Sequence, residues 1–590
     1  MFSFAILIGI YSYLILALGL LGILYKPIII LITTIYILTA VYYYRKQIKM
    51  NLLRCFETFK EIQESPVNLI KRNLLLIILL SMLLSQGIVN LIGALGLELG
   101  FDALWYHLTL PKLYLGNHSI FYIPGGLLYY SAMPRLTEML YVAALALNGE
   151  ILAKVIHFSF GILTCIALYK LSREFFSAKI SLLAVVIFYS NLVVGWQSIT
   201  AYVDLARTFF EIMAFWGFVN FWKKGSKKWL VESAIMLGLA ISTKLLALGS
   251  LIIFTVLLVY PLFFKNPPRR SHGFADAQPA TVRGAAIIKL FVYWVICLLI
   301  PLPWFVFSYI NTGNLVYPFF TEIYNIGFNI ELLDPIRFVR EVWSIFMESS
   351  DPISPIYIIF LPIVILTFFR RFRDSGQARM TILQLIALYS FLAIIVWYFT
   401  PRTGGGRFIL PYLPAFSIVV ARVVDRMGIY SSRDPSSDGE LRSFKVLDFA
   451  RTINFRLLCI GLIIFVSLIS ILYRGFANSR YVPVVLGKQT KADFLSSNLN
   501  FSFGDFYDTD GYFKKHIKLS DNVLLYGFHN LYYVDFPYID SSWAKKGDSF
   551  DYIAVQNTNL PKRFRDWDII YLNPKTQVKL YSKGGIKWAY

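Results

Sequence analysis

RLTEMLYVAALAL, residues 135–147, decides how this chain lies across a membrane. The stretch is apolar, yet it falls short of the about 20 apolar residues that a helix needs to cross a hydrocarbon core of about 30 Å. Pro134 precedes it and Asn148-Gly149 follows. If it crosses, every later loop changes sides.

The composition is that of a polytopic membrane protein. Of 590 residues, 57% are hydrophobic and 15% are charged, well outside the range of soluble domains. Apolar runs at 4–24, 28–44, 73–95, 151–171, 179–195, 203–222, 230–243, 245–264, 286–310, 354–370, 381–399, 408–424 and 455–473 predict about thirteen transmembrane helices. The first run lacks a basic flank and a small-residue cleavage site, so it reads as a retained helix rather than a signal peptide. The 56 Lys and Arg outnumber 35 Asp and Glu. In a membrane protein that excess is first a topology signal, and no nucleic-acid partner is expected. Four cysteines without CxxC spacing argue against a disulfide framework or a thiolate metal site.

The basic residues arbitrate the 135–147 question. Without a crossing there, the loops placed in the cytoplasm after residue 150 hold 23 Lys and Arg. Up to the last span, the opposite side holds seven: Lys154, Arg207, Lys244, Arg337, Arg340, Arg402 and Arg407. The bias predicts that 135–147 is a helix resting on the outer membrane surface. The loop 45–72, with seven Lys and Arg, independently sets the third span running outward. The N-terminus is then cytoplasmic. Three regions follow: 1–72, two N-terminal helices and a basic cytoplasmic loop; 73–473, the main membrane domain, with its first outer loop at 96–150; and 474–590, a small extracytoplasmic α/β or α+β domain. In the last, NVLLYGF, YIAVQN, DIIYL and QVKLYS read as strands and KADFLSSNL as a short helix. No Walker loop, GxGxxG or HExxH occurs.

Charge near a bilayer is costly, so polar residues that persist there are functional candidates. On the outer side these are Glu98, Asp102, His107, Asp204, Arg207, Lys244, Arg402 and Arg407, with Glu322 and Asp351 in the 311–353 loop. Asp102 sits in GFDALWYHL as a candidate general base, with an N-cap for a helix starting near Leu104 as the alternative. Tyr106 and His107, in the same loop, are candidate substrate contacts. Asp204 in AYVDLAR is a second candidate acid, with a first-turn dipole effect or an i,i+3 pair with Arg207 as the bland reading. Lys244, Arg402 and Arg407 are candidate phosphate cations, the two arginines flanking three glycines in PRTGGGRF.

Carboxylates and fixed cations at one membrane surface suit sugar transfer from a polyprenyl-phosphate carrier. The carboxylate takes the acceptor's proton and the cations stabilise the leaving phosphate. The stretch from about 73 to 425 resembles the GT-C membrane glycosyltransferases, in the branch of the protein O-mannosyltransferases and the lipid A aminoarabinose transferase. The motifs are FDALWYHLTLPKLYL, NGEILAKVIHFSFGILTCIALYKLSREFF, AYVDLA, STKLLAL, TGNLVYPFF and GGGRFILPYLP.

The resemblance implies an inverting glycosyltransferase of a prokaryotic plasma membrane. Asp102 would be its catalytic acid, Asp204 its second acid, and Lys244 with Arg402 or Arg407 the carrier-phosphate cations. The partners implied are a lipid-linked sugar donor, the bilayer, and a protein, lipid or glycan acceptor. Two departures stand out: two extra N-terminal helices, and a single Asp where some relatives carry an acidic pair. No cofactor is required by this reading, and a lone Asp does not support a divalent metal. A transporter or flippase of a lipid-linked sugar, or a non-catalytic scaffold, are the competing classes.

Overall fold

Apolar runs bounded by polar loops become helices. The computed structural model describes residues 1–64, 66–260, 279–323, 330–348, 352–374, 380–400, 405–427, 455–584 and 587–590. Arg402 and Asp351 lie outside the described residues. Six helices there are long and apolar enough to cross a membrane: Phe2–Leu20, Lys26–Gln47, Asn73–Leu95, Glu150–Arg173, Ile382–Phe399 and Phe455–Val485. A seventh arises if Ala286–Leu299 and Leu302–Thr312, bent by 61°, form one span. The bend falls at Ile300-Pro301, where proline removes a helical donor. Several other expected spans are shorter apolar helices, among them Ala178–Tyr189, Leu245–Val259 and Ile356–Ile365. The chain is thus a polytopic, integral membrane protein.

The helix Asp204–Lys224 is buried around almost its whole circumference. It packs most extensively on Lys227–Thr243 and on Glu150–Arg173. Its charged residues are countered inside the bundle, Asp204 by Lys244 and Arg207 by Glu211. Helix Leu136–Asn148 corrects the expectation of a surface helix. It is buried on nearly every side, against Phe2–Leu20, Thr109–Gly116 and Glu150–Arg173. The physical reason is that it lacks a polar face: even Thr137 and Glu138 are covered, and Glu138 is met by His107.

The C-terminal region carries a five-stranded sheet in the order β2-β1-β4-β6-β5. Its strands are β1 (Val523–Tyr526), β2 (Tyr538–Asp540), β4 (Tyr552–Val555), β5 (Asp568–Leu572) and β6 (Lys579–Ser582). β1 is parallel to both β2 and β4, while β6 is antiparallel to β4 and β5. β3 (Ser549–Phe550) and β7 (Trp588–Ala589) pair separately. The segments read as strands from the sequence supply β1, β4, β5 and β6, and the expected helix forms at Lys491–Asn498. The three-residue β2 is too short to show alternation.

This region rests on the loop that follows the third span. Lys112 donates to the Tyr532 and Val534 carbonyls (2.7 and 2.8 Å) and to Asp535 (2.6 Å). The Tyr532 amide donates to the Leu104 carbonyl at 3.2 Å, and the His529 ring stacks on Phe101.

Asp540, at the end of β2, is buried, and its carboxylate accepts the Ser542 amide at 2.8 Å. Burial pushes this carboxyl from 3.8 up to about 6, against the pull of that bond. The folded form therefore keeps a proton that the unfolded chain releases, and stability falls as pH rises from about 4 to about 6. Asp540→Asn should be more stable than wild type at pH 7 by up to about 2–3 kcal/mol. The difference should vanish below about pH 4. Thermal unfolding followed by circular dichroism across pH checks both the sign and the window.

Candidate functional site

The loop after Leu95 re-enters helix at Ala103–His107 as a single π turn. The Leu108 amide bonds the Ala103 carbonyl at 2.9 Å, and the carbonyl of Leu104 takes the Thr109 hydroxyl at 2.6 Å. The wider turn, a type frequent at functional sites, sets the Tyr106 hydroxyl 3.3 Å from Asp102 Oδ2. Asp102 makes no side-chain cap bond, which removes the N-cap alternative. Its Oδ2 instead accepts from Arg407 Nη1 at 2.6 Å, while its backbone amide donates to the Tyr202 hydroxyl at 2.9 Å.

The second pair is Lys244 with Asp204, Nζ to Oδ1 at 2.7 Å. Asp204 opens a core helix. Lys244 occupies an extended residue (φ −152°, ψ 120°) between Lys227–Thr243 and the turn Leu245–Ala247. That break aims it sideways rather than letting it snorkel along a helix. The two cations share one aromatic ring: Phe408 lies 5.3 Å from Lys244 Nζ and 5.1 Å from Arg407 Cζ. Arg407 feels both carboxylates. Burial lowers its affinity for a proton, but the charges of Asp102 and Asp204 outweigh that and hold it protonated.

Exposure separates the roles. Side-chain accessibility is 17% for Arg407, 13% for Asp102 and 16% for Lys244, but 1% for Asp204. The first three can meet a ligand, and Asp204 stands behind Lys244. His107 and Glu138 form a buried pair, Nδ1 to Oε1 at 2.8 Å. His107 thus lies under the loop. Tyr106 is also buried, stacked on Tyr130 at 3.8 Å between ring centroids. Arg207 does not pair with Asp204. It bonds Glu211 at 3.0 Å and Tyr412 at 3.2 Å in a separate buried network with Ser250.

Sequence reasoning did not single out Tyr202, Glu138 or Phe408. Tyr202 carried a weak signal, two residues before Asp204. The other two become functional only through contacts made by the fold. The donor set does not fit a resident divalent ion, because each acid of the site already faces a cation. Among the described residues no three His, Cys, Asp or Glu side chains converge.

Residues 139–296 match the family model described as dolichyl-phosphate-mannose-protein mannosyltransferase. This segment holds Asp204 and Lys244, while Asp102 and Arg407 flank it in the chain. The matched family is one of membrane glycosyltransferases, the class that the sequence motifs resemble, and the chain is an enzyme of that class. No curated protein matches it. Among solved structures it is similar to ArnT from Cupriavidus metallidurans bound to undecaprenyl phosphate: 13% identity, 86% of this chain and 97% of that one covered, TM-score 0.49. It is also similar to the archaeal oligosaccharyltransferase AglB from Archaeoglobus fulgidus, in complex with an inhibitory peptide and a dolichol-phosphate. That likeness has 13% identity, covers 82% of this chain and 70% of that one, and has a TM-score of 0.42.

The Asp204–Lys244 pair makes a stability prediction. Lys244→Met leaves the Asp204 carboxylate in the core without its counter-charge and should cost about 3–5 kcal/mol. Asp204→Asn/Lys244→Met should recover most of that loss, because no unpaired charge remains. Thermal unfolding of the four proteins in detergent, compared as a double-mutant cycle, checks it.

Proposed function

We propose that the protein is an inverting glycosyltransferase that moves a sugar from a polyprenyl-phosphate carrier to an acceptor hydroxyl. Its site lies on the extracytoplasmic face of a prokaryotic plasma membrane. The observation that carries this reading is one accessible carboxylate, Asp102, paired with Arg407, which shares the Phe408 ring with a second accessible cation, Lys244. In the resting geometry Arg407 is held by Asp102. The carrier phosphodiester, singly charged like the carboxylate, offers that guanidinium two non-bridging oxygens, and the charge that builds on it as the sugar leaves draws Arg407 further. As Arg407 turns to the phosphate, Asp102 Oδ2 is freed to accept a proton.

The acceptor hydroxyl then attacks the anomeric carbon as its proton passes to Asp102. The bond from that carbon to the phosphate oxygen breaks, and its electron pair stays on the phosphate. Arg407 and Lys244 stabilise the charge that develops there, in a partly water-excluded site where fixed cations act strongly. Asp204 holds Lys244 in place. Tyr106, bonded to the same oxygen of Asp102, keeps the carboxylate oriented. Arg402 completes the cation set in this reading. The 474–590 region braces the Asp102 loop through Lys112 and Phe101.

The test is sugar transfer in liposomes, with labelled polyprenyl-phosphate sugars and host membrane extract as acceptor. Asp102→Asn should retain carrier binding and lose transfer by roughly a hundredfold or more, the scale for removing a general base. Arg407→Gln should slow transfer and weaken carrier binding together. Transfer at wild-type rate by Asp102→Asn would refute the assignment of the base. Movement of labelled carrier between leaflets without transfer would favour a flippase.

A further inference from the structure

Glu98 is not exposed at all, and neither of its carboxylate oxygens is free. Oε1 accepts the backbone amides of Leu99 (2.9 Å) and Gly100 (2.7 Å). Oε2 accepts the amide of Ala201 at 2.6 Å. One carboxylate therefore ties the segment that leads into Asp102 to the segment that leads into Asp204. A second tie is the Asp102 amide on the Tyr202 hydroxyl.

Each segment is itself anchored. Lys154 donates to the Gly96 and Leu97 carbonyls at 2.7 and 2.8 Å. His157 bonds the Thr200 carbonyl at 2.7 Å through Nδ1 and accepts the Leu205 amide at 3.0 Å through Nε2. Those two contacts require the neutral ring protonated on Nδ1. The Tyr141 hydroxyl bonds the Tyr202 carbonyl, and the Tyr533 hydroxyl of the C-terminal region bonds the Glu98 carbonyl at 3.0 Å. Gly100 lets the segments approach: a Cβ there would lie 2.9 Å from Glu98 Oε1 and 2.9 Å from the Tyr202 ring.

We propose that Glu98 is a positioning residue that sets the spacing between Asp102 and the Asp204–Lys244 pair, acting through the backbone rather than on substrate. The proposal rests on the glycosyltransferase reading for its kinetic consequence only. Its geometric content stands apart: three backbone amides owe their protection to one side chain.

Glu98→Gln tests it. Gln keeps an oxygen for Leu99 and Gly100 but turns an NH2 toward the Ala201 N–H, so the tie between segments is lost. In full-length protein in nanodiscs, hydrogen exchange should accelerate at Leu99, Gly100 and Ala201. Transfer should lose about 10- to 100-fold in kcat, the scale of a small misplacement of a reacting group. KM for the labelled carrier should stay within about threefold, because no substrate contact is removed. In the Asp102→Asn background the same change should add little further loss, since Glu98 works through Asp102.

Gly100→Ala, which forces the segments apart with the carboxylate intact, should reproduce the kcat loss, and it serves should Glu98→Gln fail to fold. Unchanged exchange at those amides overturns the proposal. So does a wild-type kcat, or a kcat loss that multiplies fully with Asp102→Asn. If the wild type transfers no sugar while exchange accelerates as expected, the tie is upheld and the glycosyltransferase reading is what fails.

Discussion

A charge taken into an apolar helical bundle must be countered within reach of its own side chain, and that constraint organises this protein. Arg407 and Asp102 are 305 residues apart in sequence, yet their atoms meet at 2.6 Å. To bring them together, the loop after the third span must fold back over the bundle until it reaches the break before the Leu413–Met427 helix. Lys244 and Asp204 impose the same demand between two neighbouring helices. Once both pairs are made, the ends of several helices are fixed at one level of the molecule. The Phe408 ring beneath both cations then becomes the floor of a common site.

Much of this was legible in the sequence, for a reason that belongs to membranes. Where most residues are apolar, a persistent charge stands out by its cost, and so Asp102, Asp204, Lys244 and Arg407 could be picked without any knowledge of their partners. The pairings could not. Arg207 had a local candidate in Asp204, three residues back, but prefers Glu211, four residues on and on the same buried face. Asp102 looked as ready to cap a helix as to serve as a base. Only the π turn, which leaves the cap geometry unused, distinguishes the two.

The stretch 135–147 shows the same boundary between what composition reveals and what packing decides. Its length argued against a crossing, and basic-residue counting supported an outer placement. Neither argument says what covers a helix. Because apolar residues extend around most of it, one-sided contact with a membrane surface would leave part of them uncovered by protein. The bundle instead encloses it between the N-terminal helix, the loop helix Thr109–Gly116 and the helix that follows. Its Glu138 then has His107 beside it, so a residue of the Asp102 loop is fixed from below.

The Asp102 loop is consequently held from three directions, and none of these contacts uses the accessible part of its carboxylate. From below comes the His107–Glu138 pair, and from the side Glu98 and Tyr202. From above come Lys112 and the 532–535 segment of the C-terminal region. In the proposed reaction a base in this loop would gain from such support, because misplacement by a fraction of an ångström lowers the population of reactive complexes. The one contact made by the carboxylate that a ligand can displace is with Arg407, a cation suited to phosphate. In the proposed reaction, a loop rigid elsewhere and exchangeable at that point would couple arrival of the donor to release of the base.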